Sequence, residues 1–345
     1  MRYLVFFLII SFALPVYGDQ KPVEKDPSDK ILLLNVATEV RFEEKGVTYS
    51  RLEWALVTAW AFEDEDGKWI VTAGHIVRFD ADRVKNVSCI FKSGKKNPEE
   101  LSLVGYDHRI DTALLKCVDP EANKDLPVLE LGNSSNLKAG QKVFSFGHPF
   151  PFRWIVTAGI INDPNFIPCI TDYNHPSVHF VVHDSKVNRG SSGSPLLDEN
   201  GKVIGVNIEL REHFSAAVPI DDIKFLMSSL KKGGEVRHPP INLIFNYSGY
   251  FIDALLNFWG VEKRPDSEGL MVTAVKKNTL ADYSDFRMGD VIISVDGKEP
   301  KDLMDLYKMI YFRTSLAEII KVKIKRDGQE REMPLILLLD NFKKE

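Results

Sequence analysis

The sequence is poor in cysteine and contains no block of basic residues. Its 345 residues include three cysteines, Cys89, Cys117 and Cys169, so at most one intramolecular disulfide can form. Their wide spacing is unlike the close cysteine and histidine pairs of a metal site. The formal net charge is −5 and no lysine- or arginine-rich run occurs, so nothing favours binding to nucleic acid. We therefore expect no disulfide scaffold, no metal, no organic cofactor and no nucleic-acid partner.

The N-terminal apolar run is too short for a comfortable membrane span. It covers residues 4–14, whereas a membrane-spanning helix needs about 20 apolar residues. A basic start, Met1-Arg2, precedes the run, and small residues precede Asp19. This pattern predicts a secretory signal peptide over residues 1–18 and a periplasmic or secreted protein. An uncleaved N-terminal anchor is the alternative, and only in that case would the protein contact a membrane.

The first domain is predicted to consist mainly of β-strands. After a polar N-terminal segment, residues 19–30, short apolar runs recur roughly every ten residues between turn signals. Many short strands with few helical stretches indicate an all-β sandwich or barrel. A helix is expected at 220–230, because its apolar residues share one face at helical spacing. This helix would close a first domain that covers residues 31–230.

A second, smaller domain follows a linker. Residues 231–240 are polar and contain glycines and two adjacent prolines, which is typical of a linker. Residues 241–340 mix strands, among them 291–295 and 320–325, with an amphipathic helix at 302–310. No internal repeat relates the two parts of the chain.

A loop rich in serine and glycine carries three candidate nucleophiles. The stretch Gly190-Ser191-Ser192-Gly193-Ser194 lies between two β-like runs. A serine in such a loop can present its hydroxyl to a cleft while backbone N–H groups point into the same space. An acyl-transfer nucleophile and its oxyanion hole need that geometry. The loop by itself is also compatible with an ordinary Gly/Ser turn.

Two residues upstream can supply the base and the acid that a serine nucleophile needs. His75 follows an apolar strand in a turn of small residues. Asp111 opens another apolar strand, where a partly buried carboxylate requires a partner such as an imidazole N–H. The chain order His75, Asp111, Ser192 is that of chymotrypsin, whereas subtilisins and α/β-hydrolases have other orders. A catalytic triad of these three residues is the prediction.

The glycine positions select Ser192 among the three serines. Trypsin-like nucleophiles lie in Gly-x-Ser-Gly, and this pattern fits Gly190-Ser191-Ser192-Gly193. The backbone N–H groups of Gly190 and Ser192 would then form the oxyanion hole. The elbow Gly-x-Ser-x-Gly of α/β-hydrolases would need a glycine at position 194, which is a serine.

Four stretches together carry a resemblance to a known protease family. They are Thr72-Ala73-Gly74-His75, Asp111-Thr112-Ala113-Leu114-Leu115-Lys116, Gly147-His148-Pro149-Phe150 and the loop around Ser192. They resemble the histidine, aspartate, Gly-Asn-Pro-Phe and nucleophile motifs of the HtrA (DegP/DegS-like) serine proteases. The resemblance covers nearly all of residues 50–335. It implies a mainly β fold, a trypsin-like double β-barrel protease domain followed by a small α+β PDZ domain.

The resemblance also implies a function and partners. HtrA proteins are exported serine endopeptidases that cleave unfolded or misfolded polypeptides in protein quality control and the stress response. Their PDZ domain binds peptide C-termini, and they are typically homotrimers. The loop that would hold the peptide carboxylate is expected within residues 241–252, where the family's usual Tyr-Leu-Gly-Ile motif is absent.

The nucleophile loop departs from the family pattern Gly-Asn-Ser-Gly-Gly-Pro at Ser191 and Ser194. A Gly-x-Ser-Gly-Ser-Pro loop also occurs in V8-type glutamyl endopeptidases, a competing assignment. Those enzymes usually carry a histidine in the strand beside the specificity pocket, and the stretch Val206-Asn207-Ile208 has none. We predict that these three residues bind substrate and favour an apolar or small P1 residue. A peptide-binding PDZ protein with a vestigial protease domain is a further alternative, against which the intact triad argues.

Overall fold

The structure, a computed structural model, describes residues 27–44, 47–78, 84–91, 99–108, 110–166, 179–211, 214–236, 261–263, 269–272, 275, 280–301, 303–311 and 319–336. The predicted signal peptide, Cys169 and the predicted carboxylate loop lie outside the described residues. Of the N-terminal segment 19–30, the described part is a short 3₁₀ helix, Pro27–Lys30.

The first third of the chain forms a closed barrel of six antiparallel strands. They are β1 (Ile31–Glu44), β2 (Val47–Asp64), β3 (Gly67–Ala73), β4 (Val84–Phe91), β5 (Glu99–Asp107) and β6 (Thr112–Cys117). The strands pair in the order β4-β1-β2-β3-β6, and β5 closes the barrel by pairing with both β4 and β6. Two short helices, α1 (His75–Arg78) and α2 (Pro120–Lys124), follow β3 and β6.

Two of the three cysteines lie in the interior of the first barrel. Cys89 and Cys117 are buried free thiols within an apolar cluster that includes Leu32 and Leu34. Burial raises the pKa of the Cys117 thiol to about 11 and that of Cys89 further still. Both cysteines therefore act as small apolar side chains.

A second closed barrel follows. It consists of β7 (Lys142–Gly147), β8 (Ile155–Phe166), β9 (Phe180–His183), β10 (Pro195–Leu197), β11 (Val203–Arg211) and β12 (Phe214–Pro219). The helix α3 (Ile220–Lys231) comes next and confirms the predicted helix at 220–230. Its buried stripe, Ile220, Ile223, Leu226 and Leu230, packs in one apolar cluster with residues of both barrels, among them Trp60 and Val206. The shared cluster holds the two barrels together.

The described part of the predicted linker 231–240 packs on the first barrel. After α3 the short strand β13 (Gly234–Glu235) pairs in parallel with Gly105 and Tyr106 of β5. The Val236 N–H donates to the Tyr106 carbonyl at 2.8 Å. A Cβ atom at Gly105 would collide with the Leu230 carbonyl oxygen, so the close approach of α3 requires glycine there. Residues 231–236 therefore extend the first domain.

The C-terminal part forms a separate five-stranded antiparallel sheet. Its elements are β14 (Val261–Lys263), β15 (Leu270–Val272), α4 (Leu280–Tyr283), β16 (Val291–Val295), α5 (Leu303–Tyr311), β17 (Ile319–Arg326) and β18 (Gln329–Ile336). The strands pair in chain order. In β17 buried residues alternate with exposed lysines, as a strand with one face on a core requires. The predicted strands at 291–295 and 320–325 and the helix at 302–310 are confirmed. No helix among the described residues is long and apolar enough to cross a membrane.

Candidate active site

His75 and Asp111 form a direct pair at the edge of the first barrel. His75 begins α1 immediately after β3, and Asp111 precedes β6, the neighbour of β3 in the sheet. The Nδ1 atom of His75 lies 2.7 Å from Oδ2 of Asp111. The backbone N–H of His75 donates to Oδ1 of the same carboxylate at 2.5 Å. With Nδ1–H facing a carboxylate, Nε2 is left as the basic nitrogen, which is the tautomer that a general base needs.

The backbone around Asp111 is fixed in an unusual conformation. Asp111 has φ +49°, a left-handed value that few residues other than glycine adopt. Its carbonyl oxygen accepts a hydrogen bond from Gly74 N–H at 2.8 Å. A Cβ atom at Gly74 would lie 2.9 Å from the Thr112 nitrogen, so this contact requires glycine. The turn of small residues before His75 therefore brings the two chain segments close enough for the pair to form.

Of the three serines in the nucleophile loop, only Ser192 is partly exposed. Ser191 and Ser194 are buried, with 4% and 0% of their surface accessible. The Ser192 hydroxyl donates to the Ile208 carbonyl at 3.4 Å. Burial thus selects the serine that the glycine pattern also selects.

The nucleophile loop packs against the strands that lead to His75. The Thr58 N–H of β2 donates to the Ser192 carbonyl at 3.2 Å. Gly193 has φ +85°, and a Cβ atom there would lie 2.8 Å from the Ala73 nitrogen, near the end of β3. Gly193 therefore packs on the end of β3, the strand that leads to His75.

The backbone conformation of residues 188–191 orients the predicted oxyanion donors. The Ser191 N–H donates to the Asn188 carbonyl at 2.8 Å and Gly190 has φ +96°, the signature of a type II turn. The Arg189 carbonyl accepts from Phe150 N–H at 2.8 Å. In a planar trans peptide the N–H points opposite to the carbonyl, so the Gly190 N–H points away from Phe150. The Ser192 N–H takes part in no backbone hydrogen bond within the part of the chain that the structure describes.

Comparison with known proteins places this geometry in a family. Residues 57–206 match the trypsin-like peptidase domain and residues 258–337 match the PDZ domain. A probable periplasmic DegP-like serine endoprotease of Pseudomonas fulva is 34% identical over 241 residues, covering 68% of this chain and 46% of the relative. One of Rickettsia prowazekii is 30% identical over 280 residues, covering 79% and 51%. The chain belongs to the HtrA family.

Solved structures agree with the family at the level of the fold. The HtrA-type protease AlgW with a decapeptide superimposes with a TM-score of 0.62 at 19% identity, covering 91% of this chain and 97% of AlgW. A serine endoprotease from Yersinia pestis gives a TM-score of 0.55 at 20% identity, covering 90% and 94%. The predicted double barrel followed by a PDZ domain is thereby confirmed. The chain spans about half the length of the curated DegP-like relatives it matches.

The side chains of two predicted substrate-binding residues of this HtrA protein lie in its interior. Val206 and Asn207 have no accessible surface. Val206 packs in the apolar cluster between the barrels, and Asn207 forms hydrogen bonds inside the second barrel. The strand therefore places both side chains in the interior, and substrate binding by residues 206–208 stays a prediction. The next residue, Ile208, contacts the nucleophile loop through its carbonyl, which accepts the Ser192 hydroxyl.

Thr58 is a residue of the site that the sequence did not reveal. Its hydroxyl donates to the Gly190 carbonyl at 2.8 Å and accepts from His148 N–H at 3.0 Å. Together with its own N–H, which bonds to Ser192, Thr58 fixes the nucleophile loop at two points. Thr58 lies fully buried in the middle of an apolar strand, so no local sequence motif marks it.

Replacing Thr58 by valine tests whether Thr58 holds the nucleophile loop in place. The isosteric change leaves the buried His148 N–H and the partly buried Gly190 carbonyl without their partner, so the free energy of unfolding should fall by about 1–3 kcal/mol. It should also lower kcat, on the order of tenfold, because the loop loses one of its anchors. Thr72→Val is the control, since the Thr72 hydroxyl donates to the Thr58 carbonyl at 2.8 Å. Equal losses of kcat in the two variants would contradict a specific role for Thr58.

Buried histidines predict a marked loss of stability in acid. Burial lowers the pKa of His148 to about 4, of His179 to about 3 and of His183 to about 4. In the unfolded chain a histidine titrates near pH 6.5, so below that pH the unfolded state binds more protons than the folded state. Stability is then lost as pH falls from 6.5 towards 4. Asp222, whose pKa burial raises to about 6, opposes this trend between pH 6 and 4.

In this pH range the three histidines lower the free energy of unfolding by more than Asp222 raises it. We therefore expect the free energy of unfolding to fall by on the order of 3 kcal/mol between pH 7 and pH 5. Urea unfolding at the two pH values measures the difference. A midpoint that stays constant or rises at pH 5 would show that these imidazoles are not held neutral in the fold.

Proposed function

We propose that this chain is an exported HtrA-type endopeptidase that cleaves unfolded or misfolded polypeptides through an acyl-enzyme. The observation that carries the proposal is the His75–Asp111 hydrogen bond of 2.7 Å beside a loop that exposes Ser192 alone among its serines. Names of the curated relatives as periplasmic endoproteases support both the reaction and the export. Cleavage of the signal segment would leave a mature chain that begins at Asp19.

The residues of the site have distinct roles in the proposed reaction. Nε2 of His75 accepts the Ser192 proton while the Ser192 Oγ attacks the scissile carbonyl carbon. The Gly190 and Ser192 N–H groups hold the oxyanion of the tetrahedral intermediate. His75 then gives its proton to the leaving amine, and a water molecule hydrolyses the acyl-enzyme by the same proton route. Asp111 stays ionised throughout and stabilises the imidazolium.

Degradation of casein by the full chain tests the proposed function. We expect purified protein to fragment casein and to lose this activity after treatment with a fluorophosphonate, which acylates activated serines. A chelator should have no effect, because the proposed reaction uses only a hydroxyl, an imidazole, a carboxylate and backbone N–H groups. If casein stays intact while a peptide still binds the PDZ domain, the peptide-binding protein with a vestigial protease domain is the better description.

The PDZ domain is proposed to bind peptide C-termini by adding the peptide as a further strand. Among the described strands β14 lies at the edge of the sheet and pairs with β15. The helix α5 contacts β14, so it can form the second wall of a groove beside that edge. A peptide with a free C-terminal carboxylate should bind, and the same peptide with an amidated C-terminus should not.

A homotrimer is proposed from the resemblance to the HtrA family, and exposed aromatic residues offer a surface for contact between subunits. Phe150 and Phe152 are 74% and 63% exposed, and Trp54 is 60% exposed. The Leu56 carbonyl and the Phe150 N–H both approach Gly190, so β2 and the loop after β7 meet at one surface. Light scattering on the purified protein should give three times the mass of the chain. The double variant Phe150→Ser, Phe152→Ser should shift that mass towards the monomer.

A further inference from the structure

Ser194, where this chain departs from the family pattern, is a buried polar residue with a specific partner. No part of Ser194 is accessible, and a buried hydroxyl needs a hydrogen bond to offset its desolvation. Its Oγ accepts a hydrogen bond from the Asn207 side-chain N–H at 2.9 Å. A glycine at this position could not make that bond. The departure therefore gives the nucleophile loop an attachment through a side chain.

Asn207 holds the same loop through its backbone. Its carbonyl accepts from Gly193 N–H at 2.7 Å, and its N–H donates to the Ser194 carbonyl at 2.9 Å. Three hydrogen bonds thus join Asn207 to the two residues that follow Ser192. The next residue, Ile208, supplies the carbonyl that accepts the Ser192 hydroxyl.

The Asn207 amide is itself held in one orientation. Its Oδ1 lies 2.8 Å from Nε2 of the fully buried His183. Its Nδ2 also donates to the Ser145 hydroxyl at 3.2 Å. Because burial keeps His183 neutral, its Nε2–H can donate to Oδ1, which leaves the amide N–H groups facing Ser194 and Ser145. Rotation of the amide by half a turn would place its NH₂ opposite the Nε2–H of His183, so that two hydrogen-bond donors would face each other.

We propose that Asn207 and Ser194 are positioning residues that set the place of the Ser192 hydroxyl relative to His75. The inference rests on the proposed function, because it concerns the reactivity of that nucleophile. Ser192 is two residues from Ser194, and its hydroxyl contacts the residue that follows Asn207. Displacement of this pair shifts the attacking oxygen, and a shift of about 1 Å can cost on the order of 100-fold in rate.

A merely structural role would lower stability without changing the chemistry of the folded enzyme. The test therefore measures the rate of acylation of the full chain by a fluorophosphonate, together with kcat and KM on a peptide substrate and urea unfolding. Ser194→Ala and Asn207→Ala should each slow acylation and lower kcat about tenfold with KM nearly unchanged. The double variant should be little slower than either single variant, because both remove the same interaction.

Ser215→Ala provides the matched control. Ser215 is an equally buried serine of the second barrel whose hydroxyl donates to the Ser185 carbonyl at 2.9 Å. It should lose a similar amount of stability and keep the acylation rate of the wild type within about twofold. If Ser194→Ala does not fold, Ser194→Cys replaces it, since the thiol fills the site of the hydroxyl and is only a weak acceptor.

The outcomes separate this inference from the proposed function. Slow acylation in the two variants, non-additive in the double variant and absent from Ser215→Ala, supports the positioning role. If all three single variants acylate as fast as wild type, or slow equally, the positioning role is overturned while the proposed function stands. If folded wild-type protein is not acylated at all, both are overturned.

Discussion

Replacing Ser192 by alanine is expected to abolish proteolysis. In a serine protease of this type the loss of the nucleophile costs on the order of 10⁶-fold in kcat, because the covalent route is removed altogether. Ser192 is only partly exposed and its hydroxyl makes one hydrogen bond of 3.4 Å, so its loss should hardly affect the fold. Casein degradation by wild type and variant, at equal concentration of folded protein, measures the effect.

Ser191→Ala is the control for this change. It removes the neighbouring hydroxyl, which is buried and which the proposed reaction does not use. The control should retain casein cleavage within about threefold of wild type. Undiminished cleavage by Ser192→Ala, or equal loss of cleavage in the two variants, would contradict the assignment of Ser192 as the nucleophile.

Replacing Asp111 by asparagine is expected to reduce kcat by about 10⁴-fold with the fold intact. The two hydrogen bonds of this carboxylate make the reason specific. The His75 backbone N–H occupies Oδ1, so the amide oxygen must stay there and the amide NH₂ must face Nδ1 of His75. Two donors cannot face each other, so the imidazole proton moves to Nε2. His75 is then in the wrong tautomer to accept the Ser192 proton.

Asp119→Asn is a suitable comparison for the Asp111 variant. Asp119 caps α2 by accepting the Glu121 N–H at 2.9 Å on the protein surface. It should cost a few tenths of a kcal/mol in stability at most, with kcat unchanged, since asparagine is as good a helix cap as aspartate. A loss of less than about tenfold in the Asp111 variant would mean that the carboxylate does not control the His75 tautomer.

The sequence was informative wherever one residue type is required by chemistry or by space. The order of His75, Asp111 and Ser192 indicates the reaction class, and glycines beside them mark backbone contacts too close for a side chain. Period-two burial in β17 and the apolar stripe of α3 are visible as patterns because one face of each element packs on a core. These features can be recognised from residue type, chain order and local spacing.

Other features depend on contacts distant in the sequence and could not be predicted. The hairpin of β1 and β2 is much longer than the short strands predicted for the first domain, since its outer half is exposed and lacks a buried face. Pairs such as Phe42 and Tyr49, opposite each other and stacked at 5.6 Å, hold it instead. The inward orientation of Asn207 and the anchoring role of Thr58 likewise follow from barrel closure.

Locating a covalent adduct tests the central claim, that His75 activates Ser192 as the nucleophile, most directly. Folded wild-type protein is treated with a fluorophosphonate, digested and analysed by mass spectrometry, alongside His75→Ala. The three serines at 191, 192 and 194 differ in sequence position, so fragment masses separate them. We predict one adduct per chain, on Ser192, and none in His75→Ala over the same time. An adduct on Ser191 or Ser194, or equal labelling without His75, would contradict the account.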